Sequence, residues 1–397
     1  MLYKQTIKCH GVRVDFSRVE LSAEDGAFQQ ELRDFLAGLV TEAVIRRDRE
    51  TGENFDEAVH LALGAAGYLA ADYRSEADGG FSAVRRRIWE LEIGRARTPW
   101  FHWGTTAMVA KSVQAFGAPE LTARILPGVL SGELRLCLGY TEPEGGSDVA
   151  TCKTRAVREA DGSAWIINGS KMFTSNAQNA QYVFLITNTD PAAPKHQSLT
   201  MFLVPMDSPG VEIQPIRTVD GDRTNITFYT DVRVDDEYRI GDVNGGWTVL
   251  RQALNAEHGT IEREAGGLQK IATMTEHILL TAEAVDGVAR TAPPDYRLGR
   301  AVARLEAAMS ASDMYGRVAI AQTMRDIAPD LMDLLGPAGA LPVDTPGAAD
   351  DGGAEHIFRL AGPTGIYGGT LEVFRNMIAA QALGLQRPIH AAPKGVR

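Results

Sequence analysis

The chain has 397 residues, of which 44% are hydrophobic and 23% are charged, as in a globular protein with two or three core-forming domains. Its formal net charge of −11 argues against a nucleic-acid partner, because no broad basic face is available to neutralise phosphates. No apolar run approaches the roughly 18–20 residues that cross a bilayer, and the N-terminus lacks the apolar core of a signal peptide. We therefore expect no membrane span.

The cysteines and histidines argue against a disulfide framework and against a metal site. Cys9, Cys137 and Cys152 are odd in number and show no CxxC spacing. The eight histidines form no HExxH or comparable cluster. We predict no metal, and we expect a reducing, cytoplasmic location.

The first third of the chain has the pattern of helices. Ser22 followed by Asp25 resembles a capping box, and apolar residues then recur on one face between positions 28 and 39. Residues 54–72 and 85–130 continue the helical pattern. We assign residues 1–134 to an N-terminal helical domain.

The middle of the chain changes to short runs rich in Val, Ile, Thr, Tyr and Phe. Turn residues such as DG, NG and PG separate the runs at intervals of about 8–12 residues, which favours a compact antiparallel sheet. The runs are SAWIING (163–169), AQYVFLITNT (180–189), LTMFLVPM (199–206), VEIQPIRTV (211–219) and ITFYTDVRV (226–234). We assign residues 135–242 to this β domain.

From Gly246 onward the helical pattern returns. Breaks rich in Gly, Pro and Asp are predicted at 286–299 and 341–353. We assign residues 243–397 to a C-terminal helical domain. The order of helices, β segments and helices predicts the α+β class.

The segment GYTEPEGGSD (139–148), at the entrance to the β domain, carries the strongest chemical signal. Gly145 and Gly146 free the backbone to present N–H groups, and Thr141 and Ser147 add hydroxyl donors. Such a loop can form a nest for a phosphate or for the polar edge of a ring. An isolated Gly-Gly-Ser would more often be a plain surface loop.

The ten residues of this loop and the β runs after it resemble the acyl-CoA dehydrogenase family, whose flavin-binding loop reads TEPxxGSD. Further segments match family motifs in the same order. NGSKMFTSNA (168–177) resembles NGxKxWITNG, TFYTDVRVDD (227–236) resembles FDDVRVP, and NGGW (244–247) resembles the start of the following helix. GIYGGTLEVFRNMIAAQALGL (365–385) resembles IYEGTxEIQRxIIAxxxLG. The resemblance spans nearly the whole chain and implies an N-terminal α-helical domain, a middle β-barrel and a C-terminal four-helix bundle.

The resemblance implies FAD as cofactor and an acyl-CoA as substrate, with dehydrogenation of the α,β bond to a 2-enoyl-CoA. Phe173 stands in place of the usual Trp, and Ser175 stands where a Thr hydroxyl normally reaches flavin N5. The residues that the resemblance assigns to the cofactor are Tyr140, Thr141, Gly146, Ser147, Phe173, Thr174, Ser175 and Thr370. Those that it assigns to the substrate are Ser147, Asn255, His258 and Gly368.

The chain departs from the family at the catalytic base. Removal of the α-proton needs a base beside the substrate's Cα, and in many members this base is the Glu of YEGT. Here Gly368 occupies that position and has no side chain. A second family solution is a Glu on the first helix after the β domain, which corresponds to Glu257. The resemblance therefore implies Glu257 as the base, with the Gly368 N–H and a flavin ribityl hydroxyl holding the thioester oxygen. His258 follows where Arg is common; contact with substrate and plain packing both stay open for it.

Two family segments that reach a neighbouring subunit's FAD are altered. Pro293 and Pro294 interrupt the Arg-x-x-Phe-Gly region, and DLLGPAGA, with Asp333 and Pro337, replaces QxxGGxG. One interpretation is sequence drift in a homotetramer. The other is a heterotetramer, a dimer of dimers in which a related chain supplies the ADP-binding half, as in bacterial dehydrogenases for steroid side chains or other bulky acyl-CoAs.

Two further functional alternatives stay open. The chain could be a non-catalytic assembly subunit, or a flavin oxidase or monooxygenase on the same scaffold. For a dehydrogenase, the family expectation for the electron acceptor is electron-transferring flavoprotein. No motif identifies the acyl chain.

Overall fold

Helices, a sheet and helices again follow one another along the residues that this computed structural model describes, which are 20–257, 272–311 and 313–385. The predicted α+β class and the order of its segments are confirmed.

The N-terminal segment consists of helices around a core that includes Leu32, Leu36 and Trp89. Ser22 caps the first helix, since its Oγ accepts a hydrogen bond from the Asp25 N–H at 3.0 Å. This confirms the predicted helix start. The helices are α1 (Ala23–Leu39), α2 (Glu42–Thr51), α3 (Glu57–Ala65), α4 (Tyr68–Tyr73), α5 (Ala83–Arg95), α6 (Trp103–Phe116) and α7 (Pro119–Ser131).

The middle segment forms one sheet. Its strands are β1 (Leu136–Gly139), β2 (Arg155–Arg158), β3 (Ala164–Met172), β4 (Tyr182–Asn188), β5 (Leu199–Pro205), β6 (Val211–Arg217), β7 (Arg223–Asp235) and β8 (Arg239–Ile240). The spatial order is β6-β7-β3-β2-β4-β5-β8, with β1 beside β4.

The predicted runs all form strands, and the pairings among them are antiparallel as predicted. The parallel pairings involve two short strands outside those runs. β1 runs parallel to β4, with Leu136 opposite Tyr182, and β2 meets β4 in parallel where Arg155 lies opposite Asn188. β1 and β2 have four residues each and β8 has two. Strands this short show no alternation of polar and apolar residues, so the sequence pattern missed them.

The C-terminal segment is helical and packs around a core that includes Val288, Ile320 and Ile357. Its helices are α8 (Gly246–Glu257), α9 (Ala272–Thr291), α10 (Tyr296–Ser310), α11 (Asp313–Leu335), α12 (Gly353–Thr364) and α13 (Leu371–Met377), with a π-helical turn at Ile378–Ala382. Short 3₁₀ helices lie at Glu76–Asp78, Val149–Thr151, Lys195–Gln197, Asp236–Tyr238, Gly336–Ala340 and Ala349–Gly352.

The predicted break at 286–299 is shorter in the structure. α9 continues to Thr291, and α10 begins at Tyr296 because the Asp295 side chain accepts a hydrogen bond from the Arg297 N–H. Pro293 and Pro294 thus occupy a tight connection between two helices. Within the described ranges, no helix combines the length and the apolar character needed to cross a membrane.

Candidate active site

The loop at 139–148, here called the glycine-rich loop, follows β1 and folds back on itself. The N–H groups of Glu142 and Gly145 each donate to the carbonyl of the other residue at 3.0 Å. The Thr141 carbonyl accepts from the Met172 N–H at 2.8 Å, which ties the loop to the end of β3. Gly146 and Ser147 lie exposed at its tip. The tip of the loop is therefore exposed, whereas the rest of the loop is held by backbone hydrogen bonds.

A buried ion pair anchors the hydrogen-bonded part of the loop. Lys171 is fully buried, and its Nζ donates to Glu142 Oε1 at 2.7 Å. The same carboxylate accepts from the backbone N–H groups of Lys153 at 2.7 Å and Thr154 at 2.9 Å. Burial raises the pKa of Glu142, but the charge of Lys171 and these hydrogen bonds outweigh it and hold the pKa at about 2. Glu142 is therefore ionised at neutral pH.

Cys152 lies beside the ion pair, 3.3 Å from Glu142 Oε1 and 3.3 Å from Lys171 Nζ. Burial raises the pKa of its thiol to about 11. Cys137 is buried as well, and both are free thiols. The Cys152 thiol is thus a protonated, packed side chain rather than a nucleophile.

Gly169 lets Thr154, whose N–H donates to Glu142, lie close against β3. The pairing of β3 with β7 shifts between Ile167 and Gly169, which marks a β-bulge. Gly169 has φ +149°, and a Cβ there would lie 2.7 Å from Thr154 Cα. Only glycine permits this approach. Glu142 and Lys171 both lie within the sequence motifs, but the family resemblance assigns neither to the cofactor. The available signal was Lys171, the single charged residue of the 168–177 motif, opposite in sign to the acidic residues of the 139–148 loop.

The turn at 173–176, here called the aromatic turn, follows β3 directly. Phe173 has φ +59° and its ring is 53% exposed. A left-handed conformation costs a residue with a side chain about 1–2 kcal/mol, and such strain is found preferentially at functional sites. Thr174 is fully buried, and its N–H donates to the Asn225 carbonyl at 2.9 Å. Ser175 Oγ lies 3.0 Å from Thr224 Oγ1 on β7. The turn thus exposes the Phe173 ring to solvent, while hydrogen bonds to β7 hold the residues that follow it.

The same turn fits a flat group with a polar edge. Asn176 Nδ2 and Asn225 Oδ1 are buried and find no hydrogen-bond partner among the described residues. Buried polar atoms usually have partners, so these two suit a bound group beside the exposed Phe173 ring. A heteroaromatic ring with donors and acceptors on its edge meets these requirements.

The segment at 365–370, here called the GIYGGT loop, connects α12 and α13. Gly368 and Gly369 have φ values of +60° and +94°, a conformation that glycine adopts without strain. Thr370 caps α13, since its Oγ1 accepts from the Val373 N–H at 3.3 Å. The Leu371 N–H donates to the Gly365 carbonyl at 3.1 Å and closes the loop.

Behind this loop lies a buried aromatic cluster. The Tyr367 hydroxyl is 3.1 Å from Nδ1 and 3.2 Å from Nε2 of His277 on α9. Burial and the nearby charge of Arg317 lower the pKa of His277 to about 3, so its imidazole is neutral at pH 7. Phe101, from the N-terminal segment, packs on the rings of His277 and Tyr367. The GIYGGT loop is thus attached to both helical segments.

The structure brings the glycine-rich loop and the aromatic turn together through β3. The GIYGGT loop is connected to them less directly. Arg359 of α12 donates to the Val219 carbonyl at 3.1 Å, in the turn before β7, and β7 carries Thr224 beside Ser175.

Helix α8 carries the predicted base. It packs through the buried residues Val249, Leu250 and Ala253, and position 257 follows position 253 at helical spacing. The structure describes the backbone of Asn255 and Glu257 but not their side chains, and His258 lies outside the described residues. The roles of these three residues remain predictions.

Asp333, which stands where the family resemblance expects Gln, is paired within the chain. Arg297 Nη1 lies 2.6 Å from Asp333 Oδ2. Similar arginine–aspartate pairs follow along α10 and α11, namely Arg300 with Asp330 and Arg304 with Asp326. Pro337 lies in the 3₁₀ turn Gly336–Ala340. Across the described ranges, no group of His, Cys, Asp and Glu side chains is arranged to hold a metal ion.

The chain matches models of one protein family along most of its length. Family models match residues 22–133 (acyl-CoA dehydrogenase, N-terminal domain), 137–235 (middle domain) and 268–383 (C-terminal domain). Acyl-CoA dehydrogenase FadE26 of Mycobacterium tuberculosis is 30% identical over 93% of this chain and 99% of its own length.

Among solved structures, the steroid acyl-CoA dehydrogenase Tcur3481–Tcur3483 is 30% identical with a TM-score of 0.80, covering 93% of this chain and 99% of that one. The ChsE4–ChsE5 complex of Mycobacterium tuberculosis is 28% identical with a TM-score of 0.78, covering 94% of this chain and 100% of that one.

Proposed function

Because the chain belongs to the acyl-CoA dehydrogenase family, an oxidoreductase family of flavoproteins, we propose that it binds FAD and removes two hydrogens from the α,β bond of an acyl-CoA. The single observation that carries this proposal is the glycine-rich loop joined to the aromatic turn through the buried Glu142–Lys171 pair. Bound FAD would supply N5 as the acceptor of the β-hydride.

The chain's own residues hold the reactants. Tyr140, Thr141, Gly146 and Ser147 would line the flavin and its pyrophosphate, Phe173 and Thr174 would pack on the ring, and Thr370 would contact the cofactor. Ser175 would donate its hydroxyl toward N5. These assignments are supported by the exposed Phe173 ring and by the unpartnered buried amide atoms of Asn176 and Asn225 beside it.

Glu257 would remove the α-proton of the thioester, and the Gly368 N–H would donate to the thioester oxygen as negative charge develops there. Support comes from Gly368, which has no side chain to act as base, and from the backbone of α8, which continues to Glu257. Ser147, Asn255, His258 and Gly368 would contact the substrate.

Replacement of Glu257 by Gln tests the base. We expect kcat for acyl-CoA oxidation to fall by about 10² to 10⁴, the usual contribution of a general base, with FAD content unchanged. Glu306→Gln, on an exposed position of α10, is the matched control. Activity in Glu257→Gln close to that of the wild type would remove the assignment.

A second proposal concerns assembly. The chain would form a heterotetramer with a related chain that supplies the ADP-binding half of the FAD site. It is supported by the internal pairing of Asp333 with Arg297 and by the two-component ChsE4–ChsE5 complex among similar structures. If the chain purified alone is a tetramer with one tightly bound FAD per subunit, this proposal fails and the homotetramer holds.

The electron acceptor is proposed to be electron-transferring flavoprotein. The alternative, an oxidase, would transfer electrons to oxygen. Comparing hydrogen peroxide yield with reduction of an artificial electron acceptor separates the two. We expect peroxide to be the minor product.

A further inference from the structure

One peptide unit of the GIYGGT loop is held from the side of α11. Arg317 Nη2 donates to the Tyr367 carbonyl at 2.6 Å and lies 3.4 Å from the Gly369 carbonyl oxygen. Arg317 is only 2% exposed, and its guanidinium lies 5.5 Å from the centre of the Phe374 ring. A hydrogen bond from a charged donor is stronger than one between neutral groups, so this contact fixes the carbonyl firmly.

The orientation of that carbonyl sets the direction of the Gly368 N–H. The Tyr367 C=O and the Gly368 N–H belong to the same peptide group, and no peptide among the described residues is cis. In a trans peptide the C=O and N–H point in opposite directions. Arg317 therefore turns the Gly368 N–H away from α11. This N–H donates to no acceptor among the residues that the structure describes.

The Tyr367 side chain fixes the same peptide from a second direction. Its hydroxyl contacts the neutral imidazole of His277, and its ring packs on Phe101. The side chain and the carbonyl of one residue are thus both held, and the glycines after it, at φ +60° and +94°, permit the sharp turn. The direction of the peptide is thus fixed by contacts within the chain.

We propose that Arg317 is a positioning residue that aims and polarises the Gly368 N–H as the donor to the substrate's thioester oxygen. The proposal rests on the proposed dehydrogenase function. A cation bonded to the carbonyl end of a peptide strengthens the donor at the other end. Such donors lower an activation barrier most when their direction is fixed in advance.

Variants of Arg317 test the proposal in the FAD-loaded full chain. Arg317→Met removes the cation and keeps an apolar stem in the buried site. We expect kcat per bound FAD to fall by about tenfold to hundredfold, because a misdirected oxyanion donor stabilises the transition state less. We expect KM to change by less than about threefold, because the lost interaction develops only in the transition state. Arg317→Lys should recover kcat to within about fivefold of the wild type, since an ammonium can still donate to the Tyr367 carbonyl.

The matched control is Arg46→Met, at an exposed arginine of α2. A merely structural role for Arg317 would lower FAD content or thermal stability and leave kcat per bound FAD unchanged. Either that result or a loss of kcat that Arg317→Lys does not restore would overturn the proposal.

Hydrogen exchange separates this proposal from the proposed function. The amides of Ile366 and Tyr367 donate to the Pro363 carbonyl at the end of α12, and that of Leu371 donates to the Gly365 carbonyl. We expect these amides to exchange faster in Arg317→Met than in Arg46→Met. If the wild type oxidises no acyl-CoA, the proposed function fails, and with it the donor role of Gly368. Unchanged exchange would then also refute the anchoring by Arg317, whereas faster exchange would support it.

Discussion

The glycine-rich loop and the GIYGGT loop both rest on a buried cation, but the two cations bind different partners. Lys171 bonds a carboxylate that also accepts from two backbone N–H groups. Arg317 bonds backbone carbonyls of the loop that it supports. In the first region the cation is bonded to a carboxylate, whereas in the second the cation is bonded to peptide carbonyls of the loop.

The two buried cations therefore have different structural roles. A paired carboxylate and ammonium hold two chain segments together, and their removal leaves a buried charge behind. A guanidinium bonded to a carbonyl sets the direction of that peptide group. We therefore expect damage to the first region to appear mainly in stability and cofactor content, and damage to the second mainly in catalysis.

The largest effect on stability is expected for Lys171→Met. This change leaves Glu142 buried without its cation, and removal of one partner from a buried pair costs about 3–5 kcal/mol. Urea unfolding should show the loss, and FAD content should fall with it. Lys153→Met, which removes an exposed ion pair with Glu144 near the same loop, should change neither quantity. Equal behaviour of the two variants would contradict the supporting role of the buried pair.

A smaller effect is expected for Gly368→Ala. The left-handed φ of +60° is strained for alanine, and we expect a loss of about 1–2 kcal/mol in unfolding free energy. Gly299→Ala, at a helical position where a Cβ meets nothing within 4 Å, should instead leave stability unchanged or raise it by up to about 1 kcal/mol. A Gly368→Ala variant as stable as the wild type would show that the loop adapts freely to a side chain, which would contradict its being held in place by Arg317.

The smallest effect concerns pH. His277 has a pKa lowered to about 3 by burial, where it faces Thr364, Tyr367, Arg317 and His356. In this pH range the imidazole of His277 binds a proton in the unfolded chain but not in the folded chain. His277 therefore reduces stability as pH falls below its unfolded pKa of about 6.5. Between pH 8 and pH 5.5 the wild type should lose about 1 kcal/mol more unfolding free energy than His277→Asn. Urea titrations at the two pH values measure this difference, and the surface variant His196→Asn controls for the substitution. Parallel pH dependence in wild type and His277→Asn would show that the cluster behind the GIYGGT loop is open to water.

Much of the fold was predictable from local pattern. The cap at Ser22, the strands from Ala164 to Asp235 and the helix before Gly365 all follow from residue periodicity and turn residues. The short strands β1 and β2 were not predictable, because four residues carry too little pattern, and β1 pairs with β4, which is far along the chain. The break near Pro293 was predicted too long, because a single capping side chain, Asp295, starts α10 at once.

For the candidate site, the sequence determined the motif residues and the absence of a carboxylate at position 368, since both can be read directly from the chain. Only the tertiary structure decided that Lys171 lies against Glu142, that His277 is neutral, and that Arg317 holds the Tyr367 carbonyl. The physical reason is that each of these contacts joins residues far apart in sequence. Their energy depends on burial and on distances of about 3 Å, which local pattern does not encode.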